Sequence, residues 1–410
     1  MAFSAGRCGG CGSWSAPRAP GFGGELAGAR SGTTRAVVVG AGPAGDAVCA
    51  GLRDGGFAGD ITLIGAEPVL PYERPHLSKG YLLGKVPREQ LPLRPATQYR
   101  QLAVDLELGS RVRDLGLDHH RVLLDGGKTI GWDLLCIATG SGARHLPGFS
   151  DALYLRELGE ADALKSAIDA ALPLEIVGAG FIGCEVAAVA RQKGCEVRVY
   201  EIEEQPLLRV MGAEVGAYIA GVHRSHGVDL RLKAHPPARA DIVAVGSAPR
   251  TELALGMNVD AGIVTDELGR TSAPGVFAAG DVTRFFHPLY ETRIRVEHFQ
   301  TAQRQGFAVG RTMAGAPAPY TEVPWFWSDQ YDLNLQYVGA ALPWDELVVR
   351  GEMGKPPFTV FYLSGGRLLA AAGFNDHHTV ARSRRLMEAR RQVTTAQLED
   401  LRFDLRQLLR

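Results

Sequence analysis

What the chain lacks narrows it first. No stretch reaches the ~18 consecutive apolar residues that a membrane-spanning helix needs. No charged segment followed by an apolar core opens it as a secretory signal would. No membrane association is therefore expected, and the cytoplasm is the expected compartment. Net charge is almost absent, at -1 from 44 Lys+Arg against 45 Asp+Glu, so no overall field draws in nucleic acid or an anionic bilayer. Only six of 410 residues are cysteine, too few for a disulfide scaffold. Cys49, Cys136, Cys184 and Cys195 lie in apolar segments and read as small buried hydrophobes. Cys8 and Cys11 form a Cys-x-x-Cys, but without the second pair of a zinc site or the strand–helix setting of a redox motif. No metal site is expected.

Glycine, in contrast, is abundant at 51 residues, and much of it falls in two clusters. Residues 1–34 are rich in Gly, Ala, Ser and Arg, with Glu25 the only acid. Such a segment buries too little apolar surface to order itself. It reads as a disordered extension, whether a tail, a weak transit-like segment or a start assigned too early. Order is expected from Ala36. Val37-Val38-Val39 forms a short buried strand leading into Gly40-Ala41-Gly42-Pro43-Ala44-Gly45 and a helix through Leu52, with Ile61–Ile64 the next strand. Alternation from Val104 to Ile130 suggests an antiparallel meander, and Leu134–Ile137 another buried strand. The pattern then restarts: Leu174–Val177, Gly178-Ala179-Gly180-Phe181-Ile182-Gly183, a helix to about Lys193, and Val197–Tyr200 closed by Glu201. This is an internal repeat of a nucleotide-binding unit. Asp241–Val245 and Gly275–Ala279 read as strands, the latter leading through Gly280-Asp281 into a helical region, with clear helical periodicity from about Val296 to Met313. Beyond Pro324, short strands precede one basic helix near Ala381–Arg391. The expected class is α/β, with two Rossmann-like, doubly wound nucleotide-binding domains plus a C-terminal α+β domain. The boundaries are 35–146 and 255–322 for an interrupted first domain, 147–254 for the second and 323–410 for the third.

Each glycine cluster has the Gly-x-Gly-x-x-Gly form between a strand and a helix, the context that gives the motif its meaning. The first glycine permits the turn, the second lets backbone approach a pyrophosphate, and the third allows close helix–strand packing. The helix N-terminus then faces the phosphates. Glu67 follows the second strand where a ribose-binding acid is expected, a solvated loop carboxylate being the plain alternative. Glu201 closes the equivalent strand of the repeat, and a carboxylate there accepts from ribose hydroxyls and repels a 2′-phosphate. Two dinucleotide sites imply a flavin and a nicotinamide, NADH rather than NADPH, with the chemistry carried by the cofactors and no protein nucleophile.

Several segments resemble the FAD-dependent, NADH-using ferredoxin reductases that serve oxygenases, from about Arg35 to about Leu401. Pro71-Tyr72-Glu73-Arg74-Pro75-His76-Leu77-Ser78-Lys79 is similar to the family's PYxRPPLSK, with His76 for a usual proline. Ala138-Thr139-Gly140 through Arg144 is similar to its ATGxxxR. Gly280-Asp281, Arg295-Val296-Glu297-His298-Phe299 and Val323–Tyr331 match further family segments. The resemblance implies that Arg74, Lys79, Arg144 and Asp281 contact FAD, and that Glu297, His298, Phe299 and Trp327 lie near its ring. It places Glu185 at the nicotinamide. It implies a [2Fe–2S] ferredoxin as partner, indirectly an oxygenase, with the reductase a monomer or homodimer. The disulfide reductases of the wider superfamily carry a redox Cys pair where Pro71–Leu82 has none, so electrons are expected to leave the flavin directly. Ferredoxins are generally acidic, so two arginine groups are candidate docking faces: Arg284, Arg293, Arg295, Arg304 and Arg311, or Arg382, Arg384, Arg385, Arg390 and Arg391.

The match fails in one place. Between Leu230 and Asp241 the family usually has a three-stranded meander, and here only Arg231–Arg239, with His235-Pro236-Pro237, spans the gap. One apolar face of the second sheet is expected to lose its cover, so that either another subunit covers it or the domain is weakened. Other acceptors (rubredoxin, a quinone, dioxygen) fit the same motifs, as does a flavin-binding protein with an impaired NADH domain.

Overall fold

Val37, Val38 and Val39 offer no polar side chain to water, and the strand containing them, β1 (Arg35–Val39), is buried from Ala36 onward. The computed structural model describes residues 33–410 apart from Ala318, so the segment holding Cys8 and Cys11 lies outside the described residues. Helix α1 (Pro43–Asp54) begins with proline at its first turn, preset for helical φ. β1 pairs in parallel with β2 (Asp60–Gly65) and β3 (Leu134–Ile137). Val104–Leu108 and Val276–Ala278 complete a five-stranded parallel sheet. The expected meander therefore starts later than Val104: only Val112–Asp114, Arg121–Leu124 and Thr129–Gly131 are antiparallel. An edge strand with one wet face alternates as a meander strand does, so periodicity alone did not separate them.

The late helix Phe299–Met313 closes this domain by lying against α1. A Cβ at Gly51 would sit 2.1 Å from Phe307 O, at Gly306 2.5 Å from Ala44 O, and at Gly310 2.2 Å from Val48 O. Glycine at the crossing lets the two backbones touch, fastening the first stretch of the interrupted domain to its last.

The repeat builds β4 (Leu174–Val177), α2 (Phe181–Gln192), β5 (Val197–Tyr200), α3 (Ala213–Ser225) and β6 (Asp229–Arg231). The expected strand Asp241–Val245 shrinks to Ile242–Val243, and the parallel order is β6-β5-β4-Ile242–Val243. Leu174, Ile176, Val197, Val199, Leu230 and Ile242 point to one core with the helices. The other face differs from the expectation of bare apolar surface. Val177 and Val243 are covered by Phe149 and Tyr154. The rest carries Glu175, Arg198, Asp229 and Arg231, with Arg198 bonding Glu175 at 2.9 Å and Asp229 at 2.7 Å, and Arg231 bonding Asp229 at 3.1 Å. Arg231 also lies over the Tyr200 ring. The face left without a meander is polar, and the domain needs no second layer there.

After Asp281 the chain forms a hairpin, Thr283–His287 with Thr292–Ile294, instead of starting a helix; Thr283, Phe285 and His287 alternate inward as strand residues do. Helix begins only at Phe299. β7 (Trp325–Gln330) then opens a five-stranded antiparallel sheet. The basic helix follows it at His377–Glu388, a few residues earlier than expected because the Asp376 side chain caps it through Thr379 N.

Gly51→Ala forces a side chain into the α1 crossing and is expected to destabilise the protein by about 2 kcal/mol or more. Gly221→Ala in α3, where nothing lies within 4 Å, is expected to gain up to about 1 kcal/mol from helix propensity. Thermal midpoints of the two variants should move in opposite directions.

Candidate active site

The two glycine loops have the same geometry. The first glycines, Gly40 and Gly178, have φ of +117° and +100°, and a Cβ on either would meet the next strand's backbone, 2.2 Å from Ala138 O or 2.5 Å from Ala244 O. The third glycines, Gly45 and Gly183, press on those first glycines, each with a Cβ position 2.0 Å from a carbonyl oxygen. The middle glycines differ. Gly42 has nothing within 4 Å and Gly180 only Ala244 O at 3.8 Å. Nothing in the chain requires glycine there, whereas a phosphate approaching the helix N-terminus does.

Gly40, Gly42, Pro43 and Ala44 form one end of a cavity of about 950 Å³, at the upper end of the range for ligand sites. Glu67, Arg74 and Lys79 line it, as do Ala138, Thr139, Gly140 and Asp281. Glu297, His298 and Phe299 line it further along, and Trp327 comes from the third domain. Phe181, Ile182 and Glu185, in the first turns of α2, bring the second domain to the same wall. Gly280, with φ of +80°, turns Asp281 inward, its N–H bonding Gln305 Oε1 at 2.8 Å. Gly178, Gly180, Gly183 and Glu201 stand outside this wall and form the second loop. There Glu201 accepts from Ala179 N at 2.7 Å and Glu203 N at 2.9 Å, which fixes its carboxylate at the end of β5.

Charges in the cavity are partnered. Glu67 accepts from Arg74 at 2.6 Å on Oε1, and from the Tyr72 hydroxyl at 2.8 Å and Leu158 N at 3.4 Å on Oε2, so Oε1 keeps a second lone pair. Asp281 accepts from Arg156 and from Ser141 Oγ, both at 3.1 Å. Arg156 was not among the residues singled out by sequence, since it belongs to no glycine or ATG motif and reaches the site from 125 residues away. Arg250, whose carbonyl accepts from Thr139 Oγ1 at 2.8 Å, also lines the wall. Arg144 does not: it is exposed, and its backbone N–H bonds Gly246 O. The ATG turn delivers Thr139 and Gly140 to the cavity, but four residues on the strand Ser141–Ala143 has carried the chain past it. Glu297 accepts from Arg295 at 2.6 Å and from Ser247.

Glu185 is 2% exposed yet ionic. Its Oε2 accepts from Lys79 Nζ at 2.8 Å and Ser78 Oγ at 2.5 Å, and its Oε1 from Ser328 Oγ at 2.6 Å. Lys79 Nζ lies 5.9 Å from the Trp327 ring centre. His298 lines the same cavity, with its Nδ1 enclosed behind the wall without a hydrogen-bond partner. Cys49, Cys136, Cys184 and Cys195 are free, buried and away from the wall, and burial raises their thiols above the usual range. Among the described residues no group of His, Cys, Asp or Glu could hold a metal, and no helix is long and apolar enough to cross a membrane.

The profile of the pyridine nucleotide-disulphide oxidoreductases matches residues 34–241 and 236–306, and that of the reductase C-terminal domain matches 325–409. The chain belongs to the pyridine nucleotide-disulphide oxidoreductase family. The join between the two matched stretches falls in the short connection after β6. Rhodocoxin reductase of Rhodococcus erythropolis is 36% identical, covering 90% of this chain and 93% of its own. The ferredoxin–NAD(+) reductase component of the anthranilate 1,2-dioxygenase system of Burkholderia cepacia is 38% identical over 91% of this chain and 98% of its own. Among solved structures, the reductase in the covalent putidaredoxin reductase–putidaredoxin complex superimposes with a TM-score of 0.87 at 33% identity, covering 92% of this chain and 99% of its own. The NADH:rubredoxin oxidoreductase of Clostridium acetobutylicum shares the fold, with a TM-score of 0.74 at 21% identity. Within this family the present chain presents dinucleotide loops without a thiol pair at the cavity wall.

The middle and third glycines are expected to separate in experiment. Gly42→Ala should fold normally but lose flavin affinity by tenfold or more, read by equilibrium dialysis of the flavin-free protein. Gly45→Ala should lower the thermal midpoint even without flavin. A second expectation concerns pH. Burial holds the imidazoles of His223 and His298 down at about 4, against 6.5 for a free histidine. The unfolded chain binds protons that the folded one refuses, so their stabilising contribution is complete above about pH 6.5 and is lost as pH falls toward 4. Thermal midpoints should decline from pH 6.5 to 5, and His298→Leu should flatten that decline.

Proposed function

We propose that this chain is an FAD-dependent NADH:ferredoxin reductase. It acts in the cytoplasm, as a monomer or homodimer, and its acceptor is a [2Fe–2S] ferredoxin that feeds a monooxygenase or dioxygenase. The observation that carries this reading is one large cavity with the first dinucleotide loop at one end, the start of the second loop's helix (Phe181, Ile182 and Glu185) in the same wall, and no thiol pair among its lining residues. Bound FAD takes electrons from NADH in pairs and yields them singly. The chain's own residues bind and orient. Gly42 and the α1 N-terminus would hold the FAD pyrophosphate, and Asp281, steadied by Arg156 and Ser141, would receive the ribityl hydroxyls. Lys79, steadied by Glu185, supplies a fixed positive charge where negative charge accumulates on reduction.

NADH is favoured over NADPH because Glu201 is fixed where a 2′-phosphate would sit, and the neighbouring cations are already engaged. Arg209 pairs with Glu203 at 2.7 Å and Lys233 with Glu204 at 3.3 Å. The undistorted second loop argues against an impaired NADH domain. With no thiol pair among the described residues of the wall, the acceptor must approach the flavin itself, which favours a small protein. Long-range attraction has modest scope. Of the candidate docking arginines, Arg284, Arg295, Arg304 and Arg311 are paired with Asp260, Glu297, Glu322 and Asp54. Arg384 and Arg390 are paired with Glu322 and Glu291.

Anaerobic stopped-flow reduction of the flavoprotein, with NADH and NADPH in parallel, tests the reading. Rapid bleaching by NADH and at least tenfold slower bleaching by NADPH are expected, followed by reoxidation with a [2Fe–2S] ferredoxin faster than with a quinone or dioxygen. A flavin that stays oxidised under NADH would refute it.

A further inference from the structure

A line of buried hydrogen bonds leads away from Glu185, through the third domain and back into the second. Ser328 Oγ, the donor to Glu185 Oε1, lies 3.2 Å from Gln330 Nε2. Gln330 Oε1 lies 3.0 Å from His223 Nε2, and His223 Nδ1 lies 3.1 Å from the Tyr331 hydroxyl. Ser328, Gln330 and His223 are each 2% exposed or less. Ser328 and Gln330 alternate inward on β7, while His223 sits on α3 and Tyr331 follows β7, so the line crosses between domains three times.

The protons in this line have one consistent order. The Glu185 carboxylate pairs with Lys79 at 2.8 Å through Oε2, and the Ser328 hydroxyl donates to its Oε1. That hydroxyl has only one hydrogen, so Gln330 must donate to Ser328 through Nε2. Its Oε1 then faces His223, which must carry its proton on Nε2. The bare Nδ1 then accepts from Tyr331. Every donor points toward Glu185, and reversing any link would leave two acceptors facing each other out of water, which is costly. The far end lies in the two-residue turn between the paired residues Gln330 and Leu333, where Tyr331 takes the positive φ, +60°, that such a turn requires. The Tyr331 ring stacks on His226 with centres 3.6 Å apart, which holds the hydroxyl toward His223.

We propose that His223, Gln330 and Tyr331 are positioning residues for electron entry: by fixing Ser328 as a donor they hold the Glu185 carboxylate, and through it the Lys79 ammonium, in one place at the cavity wall. They touch neither cofactor nor substrate. The inference rests on the cavity being the flavin site. It extends that site along β7 to a surface turn, so the third domain tunes the pair by hydrogen bonding as well as covering it.

The test compares His223→Leu and Gln330→Leu, which break the line, with His223→Gln, whose amide can still donate to Gln330. In the two broken variants, flavin reduction by NADH, expressed per bound flavin, should fall about tenfold with the Kd for NADH unchanged. The flavin midpoint potential should become more negative. His223→Gln should stay within about threefold of the parent in rate and keep its potential. If all three variants lose thermal stability while rate per bound flavin and potential stay at parent values, the residues only fill space and the proposal is wrong. Nitrogen-15 NMR of labelled histidine in the parent protein, with no NADH or acceptor present, reads the order directly. A neutral His223 protonated on Nε2 at pH 7 is expected, and the Nδ1–H tautomer or an imidazolium would overturn the proposal. Because that measurement needs no turnover, its failure is distinct from failure of the reductase reading.

Discussion

The site depends on one buried carboxylate. Removing a charge from water costs several kcal/mol even after relaxation, and the cost is offset only by close, complete pairing. Glu185 has that pairing, but none of it is local. Lys79 and Ser78 arrive from more than 100 residues before it and Ser328 from 143 residues after it. The carboxylate can be buried only when the segment after β2, the first turns of α2 and strand β7 are together. Assembly of the three domains and assembly of the cavity are therefore one event. Losing one partner leaves an uncompensated charge, worth roughly 3–5 kcal/mol.

The same constraint organises the cavity's electrostatics. Every acid singled out on the wall has a cation against it: Glu67 with Arg74, Asp281 with Arg156, Glu297 with Arg295, Glu185 with Lys79. These pairs hold side chains in place before a ligand arrives, so little is lost in ordering them on binding. Lys79 differs from the arginines. Its compact ammonium is a point charge on a flexible stem, and it keeps a defined position because Glu185, itself gripped at both oxygens, does not move.

The glycine loops and the strand–helix repeat were legible in the sequence because backbone sterics leave few alternatives. Only glycine survives where a Cβ would sit 2.0–2.5 Å from a carbonyl oxygen, as at Gly40, Gly45, Gly178 and Gly183. The domain class followed from that repeat. The Asp281 partner was not legible, because Arg156 has no motif and its role is a contact across 125 residues. The Gln330–His223 link was hidden for the same reason. Arg144 shows the converse: a residue can match a motif by spacing while the strand that carries it turns the side chain outward. Where pattern misled, at Val104 and after Asp281, an alternating or mixed stretch was compatible with two elements, and pairing partners made the choice.

The missing meander is the instructive case, because the strands themselves carry its signal. A parallel strand covered on both faces reads as a continuous apolar run. Leu174-Glu175-Ile176-Val177 and Val197-Arg198-Val199-Tyr200 do not: each has one charge in its middle, and the charges are opposite. In a parallel register those residues fall side by side, Arg198 beside Glu175 and beside Asp229. A sheet that alternates in this way has already given up one apolar face. The short connection at residues 232–241 and the paired charges on the face beneath it are thus mutually consistent. Either alone would be unfavourable: charges under a meander would be buried, and an apolar face without one would be exposed. Together they leave a domain with its main core on the helical side and only the small Phe149–Tyr154–Val177–Val243 cluster on the other, with the Gly178 loop and Glu201 still held at the ends of their strands.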